Sequence, residues 1–455
     1  MGAPHRPMPV VRQASRWQHP TRVVAGGFGV AVAVGTGLLM LPIATTTGES
    51  TDLVNAVFTA TSAVCVTGLV TVDTAGHWST FGEVVILALI QAGGLGIMTL
   101  ATLFALLVSK RLGLRAQLLV QAETKALSLR DVRRVVGRIV VFSLACETVA
   151  ALVLSVRFAT GYDMPAGQAV YHGVFHAISA FNNAGFSLNP DNLMGYVTDP
   201  WINIVIAAAV IVGGLGFPVV FELARNWRRP HLWSVLTRVT VTATIALLVI
   251  GTVVFAAAES DNPRTLGPLG DPDKVMAAFF ASVMARTAGF NSLDTAALTP
   301  ESLLASDMLM FIGGGSAGTA GGIKVTTFAL LGYVIWAEMR GHARVDIGRR
   351  AVPAGNQRQA LAIALLGVGL VVASTFALLS MTTHSLDKVL FEAVSAFATV
   401  GLSTGITADL PPAGHLLITT LMFTGRIGPL TLASALALRS HGRRYELPEE
   451  RTIVG

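Results

Sequence analysis

The chain has 455 residues, of which 53% are hydrophobic and 13% are charged, and its mean hydropathy is +0.64. Soluble domains usually carry about 25% charged residues, so this composition excludes an ordinary soluble protein and predicts a multi-span membrane protein. The net charge of +6 resides in the loops and gives no indication of a nucleic-acid partner.

Long apolar runs follow one another along the chain, and each can hold a helix of about 20 residues that crosses a bilayer core. They lie at 23–46, 84–109, 139–156, 201–221, 239–258, 302–338, 359–386 and 402–438. The third run carries Glu147, the sixth Lys324 and the last Arg426. We therefore predict eight spanning segments.

Most of the 32 lysines and arginines lie in five segments, namely 1–22, 110–138, 225–238, 338–358 and 439–451. The loops on the other side hold almost none, which is the positive-inside pattern. We predict a plasma-membrane protein with both termini cytoplasmic. The basic segments suit membrane lipid with anionic headgroups, and 110–138 and 338–358 are also candidate docking surfaces for a cytosolic partner. The first 22 residues make a poor signal peptide, so cleavage is not expected.

Four segments of the outer loops are too short or too polar to span a membrane, which is typical of re-entrant or interfacial helices. They lie at 52–66, 166–183, 272–286 and 386–398. Each leads into a related phrase: VTGL at 66–69, NAGF at 183–186, TAGF at 287–290 and TVGL at 399–402. The glycines of these phrases are 104 to 117 residues apart, which predicts an internal repeat.

A second glycine-rich phrase follows each of these glycines after 25 to 29 residues. These phrases are AGGLG at 92–96, VGGLG at 212–216, IGGGS at 312–316 and TGRIG at 424–428. Two landmarks that agree in four places predict an all-α fold. It would have four parallel repeats of helix, pore helix, filter and helix around one pseudo-four-fold pore. We place the repeats at 1–134, 135–234, 235–357 and 358–455.

An extended segment that ends in glycine can turn successive carbonyl oxygens toward one axis, because glycine adopts φ values that a Cβ forbids. Such oxygens can replace the hydration shell of a monovalent cation. The short helices direct their partially negative C-termini at the same region. The predicted filter takes three residues from each repeat: Val66, Thr67, Gly68, Asn183, Ala184, Gly185, Thr287, Ala288, Gly289, Thr399, Val400 and Gly401.

This pattern resembles the Trk/Ktr/HKT superfamily of potassium transporters over nearly all of residues 20–440. It is most similar to the KtrB branch, because a single helix precedes the first filter phrase. The resemblance implies potassium ion at the filter residues and leaves sodium ion coupling open. It also implies a homodimer and a cytosolic ring of nucleotide-binding regulatory subunits of the KtrA/TrkA type. In the family, serine in place of the first filter glycine accompanies sodium permeation, so Gly68 favours potassium.

The second helix of the third repeat contains a run of glycines and small residues that should break it, since glycine costs about 1 kcal/mol against alanine in a helix. We predict an intramembrane loop beneath the filter, which resembles the gate of the family; close helix packing is the alternative. A dinucleotide site is not expected from its GxGxxG string, because no strand precedes it. The gating residues are Gly313, Gly314, Gly315, Ser316, Gly318, Thr319, Gly321, Gly322 and Lys324, together with Arg426.

Arg426 occupies the position that Gly94, Gly214 and Gly314 hold in the other repeats. A charge in mid-membrane costs at least about 2.5 kcal/mol on insertion scales, so it normally faces a cavity or a partner. The family has a matching arginine below the filter. We therefore expect Arg426 to contact the gating loop and to raise the barrier to ions, with a structural ion pair as the alternative.

Other polar residues of the apolar segments are expected to be structural. Glu147 should pair with a cation or with amide groups, and Arg286 should anchor its pore helix through carbonyl or carboxylate groups. His172 and His176 are spaced i, i+4, but one pair without a third ligand indicates packing or hydrogen bonding and not a metal site.

A secondary carrier for another monovalent cation or solute is the competing function. Carriers commonly have inverted repeats, whereas all four filter phrases here lie on the predicted outer side. An intramembrane enzyme would need a Ser/His, paired Asp or zinc constellation in the apolar segments, and we find none with suitable spacing. The chain has no Walker phrase, so ATP hydrolysis is not expected.

Overall fold

The computed structural model describes residues 20–117, 129–342, 344–348 and 350–438, and this part of the chain is almost entirely helical. The helices are α1 (Pro20–Leu39), α2 (Leu53–Val64), α3 (Thr74–His77), α4 (Thr80–Gln117), α5 (Leu129–Gly161), α6 (Ala166–Phe181), α7 (Pro200–Leu215), α8 (Phe217–Asn226), α9 (Val235–Glu259), α10 (Asp271–Met284), α11 (Pro300–Phe311), α12 (Val325–Met339), α13 (Ala354–Met381), α14 (Leu386–Ala398) and α15 (Pro412–Leu438). A small antiparallel sheet of β1 (Asp346–Ile347) and β2 (Arg350–Ala351) lies between α12 and α13.

Four of the described helices, α4, α5, α9 and α13, contain stretches long and apolar enough to cross a membrane. The pair α7 and α8 is a fifth candidate, although its two helices bend by 104° at their junction. These spans agree with the predicted multi-span membrane fold, while the count of eight stays a prediction. The prediction of cytoplasmic termini depends largely on residues 1–19 and 439–455, which lie outside the described residues.

The bend between α7 and α8 differs from the sequence analysis, which predicts one segment over 201–221. Gly216 adopts a φ of +92°, and Pro218 lies in the first turn of α8. Glycine accepts this left-handed conformation, and proline cannot continue the hydrogen-bond ladder of the preceding helix. The sequence Gly-Phe-Pro at 216–218 is therefore the signal that would have predicted the bend.

The short helices α2, α6, α10 and α14 occupy the four predicted re-entrant segments and have 12 to 16 residues each. Their C-terminal halves are almost fully buried, and the buried apolar side chains of the molecule cluster around them. The Asp52 side chain caps the first of them by accepting a hydrogen bond from the Val54 amide. The short helices therefore end in the interior, where longer helices enclose them.

The glycine-rich phrases allow longer helices to approach the short helices closely. A Cβ at Gly93, Gly213 or Gly425 would overlap a carbonyl oxygen in the last two residues of the short helix before it. Each packed glycine lies one position before the residue that the sequence alignment put in register. The phrases thus fix where the second long helix of a predicted repeat meets the short helix.

Of the predicted repeat boundaries, 234/235 coincides with the start of α9, whereas 134/135 and 357/358 fall a few residues inside α5 and α13. We keep the division into four repeats as a proposal.

Candidate ion-conduction site

The four predicted filter segments share one backbone pattern. In each, the first residue has a positive φ, the second does not, and the glycine in third place again does. The first residues have φ values of 56° (Val66), 60° (Asn183), 71° (Thr287) and 50° (Thr399). Such values are uncommon for residues other than glycine and cost about 1–3 kcal/mol each. Four strained residues at matching positions indicate that the surrounding structure holds the four segments in the same unusual backbone conformation.

The same four segments contact one another in a closed ring. A Cβ on each filter glycine would collide with the carbonyl oxygen of the middle filter residue in the next segment along the chain, and the fourth segment returns to the first. The pairs are Gly68 with Ala184, Gly185 with Ala288, Gly289 with Val400, and Gly401 with Thr67. This cyclic order places the four segments around one axis.

Serines of the short helices hold three of the filter segments. Ser62, Ser179 and Ser395 each lie six residues before the filter glycine and bond to the backbone of that glycine or of the next residue, at 2.7 to 3.1 Å. The third segment has Val283 at this position. These serines were not predicted, although alignment of the four phrases on their glycines places them in register.

The predicted loop between α11 and α12 is present, since residues 312–324 are not helical. Hydrogen bonds between Gly313 and Ile323 (2.9 Å) and from Ile323 to the Phe311 carbonyl (3.2 Å) close its neck. The amides of Gly315 and Thr319 donate to carbonyl oxygens at the end of α7, at 2.8 and 3.1 Å. The loop is therefore compact, and hydrogen bonds join it to the C-terminal end of α7.

This loop crosses the region next to the ring of filter segments. Its Thr319 hydroxyl donates to Asn183 Oδ1 at 2.7 Å, in the second filter segment. A Cβ at Gly321 would collide with the Thr399 side chain, in the fourth filter segment. The second and fourth segments are opposite in the cyclic order, so the loop extends from one side of the axis to the other.

Three basic side chains bond to carbonyl oxygens of the loop, and one of them, Lys324, is the last residue of the loop itself. Arg426 Nη1 donates to Thr319 O (2.5 Å), Lys324 Nζ to Ala320 O (2.5 Å) and Arg286 Nη2 to Gly313 O (3.2 Å). Arg426 and Arg286 are only 4% and 7% exposed. The structure thus brings Arg426 to the loop as expected, and Arg286 anchors the end of its short helix through a carbonyl oxygen of the loop, which agrees with the predicted anchoring role.

None of these three side chains has an ion-pair partner among the described residues, where the salt bridge joins Arg157 and Asp199. Two further nitrogens of Arg426, Nε and Nη2, have no hydrogen-bond partner among the described residues. Buried positive charge acts more strongly on a passing cation than it would in water. A cavity of about 20 Å³ beside Asn183 and Arg286 leaves room for about one water molecule.

Among the residues that the structure describes, Glu147 pairs with side-chain amides and with no cation. Its carboxylate accepts hydrogen bonds from Gln91 Nε2 at 3.1 Å and from Asn182 Nδ2 at 3.2 Å. Asn182 is the C-cap of α6 and directly precedes the second filter segment. Glu147 therefore stabilises the end of the short helix on which that filter segment depends.

The two histidines of α6 are structural. Their rings stack with centroids 5.9 Å apart, and His176 bonds to the His172 carbonyl at 2.8 Å and to Ser187 Oγ at 3.0 Å. Within the described residues, no group of three or more His, Cys, Asp or Glu side chains could hold a metal ion. The geometry agrees with the prediction of packing and hydrogen bonding.

Known proteins are similar to this chain in sequence and in fold. The chain matches the TrkH family, described as cation transport protein, over residues 29–442. It is 43% identical to the Ktr system potassium uptake protein B of Bacillus subtilis (strain 168), over 96% of this chain and 97% of that protein. It is 39% identical to the protein of the same name from Vibrio alginolyticus, over 98% and 96%.

A solved structure agrees with this assignment at the level of the fold. The crystal structure of the potassium transporter TrkH from Vibrio parahaemolyticus has a TM-score of 0.71 at 18% identity, and covers 96% of this chain and 87% of that one. The predicted resemblance to the Trk and Ktr proteins is thereby confirmed. The chain belongs to the TrkH family of cation transport proteins.

Proposed function

We propose that this chain is the membrane subunit of a potassium uptake system and that the four filter segments form its selectivity filter. The cyclic contact between each filter glycine and the next segment carries the proposal, because it surrounds one axis with backbone oxygens. The names of the two relatives, both potassium uptake proteins, support potassium as the transported ion.

The filter would bind potassium with neutral oxygens. Alternation of positive and ordinary φ values turns successive carbonyl groups toward the same side of an extended segment, so that they face the axis. Carbonyl oxygens in such a ring replace the hydration shell of the ion. The C-termini of the four short helices add partial negative charge close by, which favours a cation without any carboxylate.

The loop at 312–324 would act as the gate. It extends across the axis, and Arg426 and Arg286 hold it there through its carbonyl oxygens, while Lys324 bonds within the loop. Conduction then requires the loop to move and these bonds to rearrange. A cation on the axis would also meet less repulsion once the buried charges withdraw.

The force that moves the gate would come from outside the chain. Following the family, we assign it to a cytosolic ring of nucleotide-binding regulatory subunits beneath a homodimer in the cytoplasmic membrane. The basic segments 110–138 and 338–358 are the proposed docking surfaces, and much of the first lies outside the described residues. In the proposed topology, the filter phrases lie on the outer side and both termini are cytoplasmic. Sodium is a candidate activator of uptake.

Growth and uptake in cells that lack their own potassium uptake systems test this function. The full chain should restore growth at low potassium and take up rubidium, and a regulatory subunit of the Ktr or Trk type should stimulate both. The same assays at varied sodium concentration test sodium dependence. Absence of uptake by a well-expressed, membrane-inserted chain under all of these conditions would refute the proposed function.

A further inference from the structure

An apolar groove of about 430 Å³ lies between α5 and α7 and takes no part in the proposed conduction. Phe142, Val149 and Val153 of α5 and Val205 and Ala208 of α7 are among its walls. Val149 is 63% exposed, so the groove opens to the outside of the helix bundle. Its volume is within the range of about 300–1,000 Å³ that is usual for ligand sites.

Positive charge lies at one end of this groove. Arg138 is four residues before Phe142 on α5, and Arg134 is four residues before Arg138, so the three side chains lie on one face of the helix. Both arginines are exposed. They mark the end of α5 that is remote from the short helix α6, where a membrane headgroup layer would meet the span.

The bend after α7 brings further positive charge to the same end. The ring of Phe221 on α8 contacts that of Phe142, with centroids 5.5 Å apart. Arg225 lies one helical turn beyond Phe221 and is exposed. The nearby acid on α8, Glu222, is engaged by Ser234 and Thr237 at the start of α9. The groove end therefore presents an excess of positive charge.

An aromatic anchor places α8 at the level of the lipid headgroups. Trp227, directly after α8, is 65% exposed, and the Arg228 guanidinium lies 4.7 Å from its ring centroid. Tryptophan and arginine are enriched at membrane–water interfaces. An apolar groove that runs into the bilayer and ends in arginines at this level matches a molecule with an apolar chain and an anionic head.

We propose that this groove binds one anionic phospholipid. An acyl chain lies between α5 and α7, and the phosphate bonds to Arg134, Arg138 and Arg225. Guanidinium groups suit this headgroup because they offer paired donors to phosphate oxygens. The proposal depends on the membrane fold and not on the proposed filter or gate, so the two can fail separately.

Native mass spectrometry of the purified full chain tests the site. The probes are 1-palmitoyl-2-oleoyl phosphatidylglycerol and the phosphatidylcholine with the same acyl chains. Phosphatidylglycerol should bind more tightly. Arg138→Ala and Arg225→Ala should each weaken it about fivefold, which corresponds to about 1 kcal/mol per arginine at a membrane surface. Phosphatidylcholine should be weakened less, because its choline cation offsets the charge of the phosphate.

A bulky residue in the groove tests the acyl-chain part of the site. Ala208→Trp should weaken both lipids, because Ala208 is exposed at the groove wall and the indole fills the space for the chain. Val149→Trp, on the opposite wall, should also weaken both lipids. Agreement between the two variants would show that the loss does not come from a folding defect in one of them. Arg264→Ala removes an exposed arginine of the loop between α9 and α10 and should change neither affinity.

Three results would overturn the site. The first is an equal loss of phosphatidylglycerol in Arg264→Ala, which would make the binding a general effect of surface charge. The second is unchanged lipid binding in both tryptophan variants. The third is a loss of dimer mass in those variants without a change in lipid affinity, which would make the groove a contact between two copies of the chain.

Discussion

Replacing Gly401 by serine tests the ring of filter contacts, because Gly405 provides a matched control in the same part of the chain. The φ of Gly401 is +98° and that of Gly405 is +90°. A side chain at either position strains the backbone by about 1–3 kcal/mol. A Cβ at Gly405 would meet no atom within 4 Å, whereas at Gly401 it would collide with the Thr67 carbonyl oxygen and lie 3.0 Å from the Gly68 Cα.

The difference between the two variants isolates the collision. In Gly401→Ser, the carbonyl of Thr67 has to move, and that oxygen is one of those proposed to coordinate potassium. A displacement that weakens potassium binding by about 1.4 kcal/mol relative to sodium lowers the preference tenfold. We expect at least about a tenfold loss of potassium preference in Gly401→Ser and less than about twofold in Gly405→Ser.

Rubidium uptake in cells that lack their own potassium uptake measures this preference, with potassium and sodium as competitors. Thermal unfolding of both purified variants should show a similar cost of backbone strain, plus an additional cost in Gly401→Ser. Equal selectivity in the two variants, with both well expressed, would refute the reasoning that the ring contact sets the filter geometry.

Three further substitutions test the gate and its surroundings. Arg426→Gln removes a buried charge and its bond to the loop, so rubidium uptake without a regulatory subunit should rise about tenfold, equivalent to about 1.4 kcal/mol. Thr319→Val leaves the Asn183 side-chain oxygen unpaired, costs the closed loop about 1–3 kcal/mol and should raise the same uptake about fivefold or more. Glu147→Leu leaves the Gln91 side-chain amide without its acceptor, whereas Asn182 keeps bonds to Gln91 and Ile178. It should lower the free energy of unfolding by about 1–3 kcal/mol, measured by thermal unfolding in detergent.

Matched variants control these predictions. Arg426→Lys keeps the charge and should retain most of the barrier. Thr420→Val removes an exposed hydroxyl that bonds within its own helix and should leave uptake unchanged. Glu147→Gln keeps one acceptor oxygen and should cost less than half as much as leucine. Unchanged uptake in both Arg426→Gln and Thr319→Val would contradict a gate held by this loop, and equal stability of the two Glu147 variants would contradict its role as acceptor.

Much of the candidate site could be predicted from the positions of glycines, because glycine is favoured where the backbone is left-handed or where two segments approach closely. The filter glycines and the loop glycines were each predicted from spacing and from helix cost, and the structure places them in left-handed backbone or in close contacts. The bend at Gly216 carried the same kind of signal. The bend was missed because the apolar run continues through it. Hydropathy shows that a segment is apolar but does not show whether its helix is straight or bent.

The partners of polar side chains were less predictable. Arg286 was expected to anchor its short helix through carbonyl or carboxylate groups, and the structure selects the Gly313 carbonyl in the loop. Glu147 was expected to meet a cation or amides, and the structure selects Gln91 and Asn182. A buried polar group takes whichever partner packing brings within reach, and residues that lie 27 to 56 positions away in sequence leave no local trace of that choice.

The sequence by itself determined the membrane fold class, the four filter phrases and the glycine-rich break, since hydropathy, period and helix propensity are local properties of the chain. Only the tertiary structure decided the cyclic order of the filter contacts, the path of the loop from Asn183 to Thr399, and the three carbonyl oxygens that bind the buried cations. These features arise from how distant segments pack around one axis, and the free energy of that packing depends on all of them together.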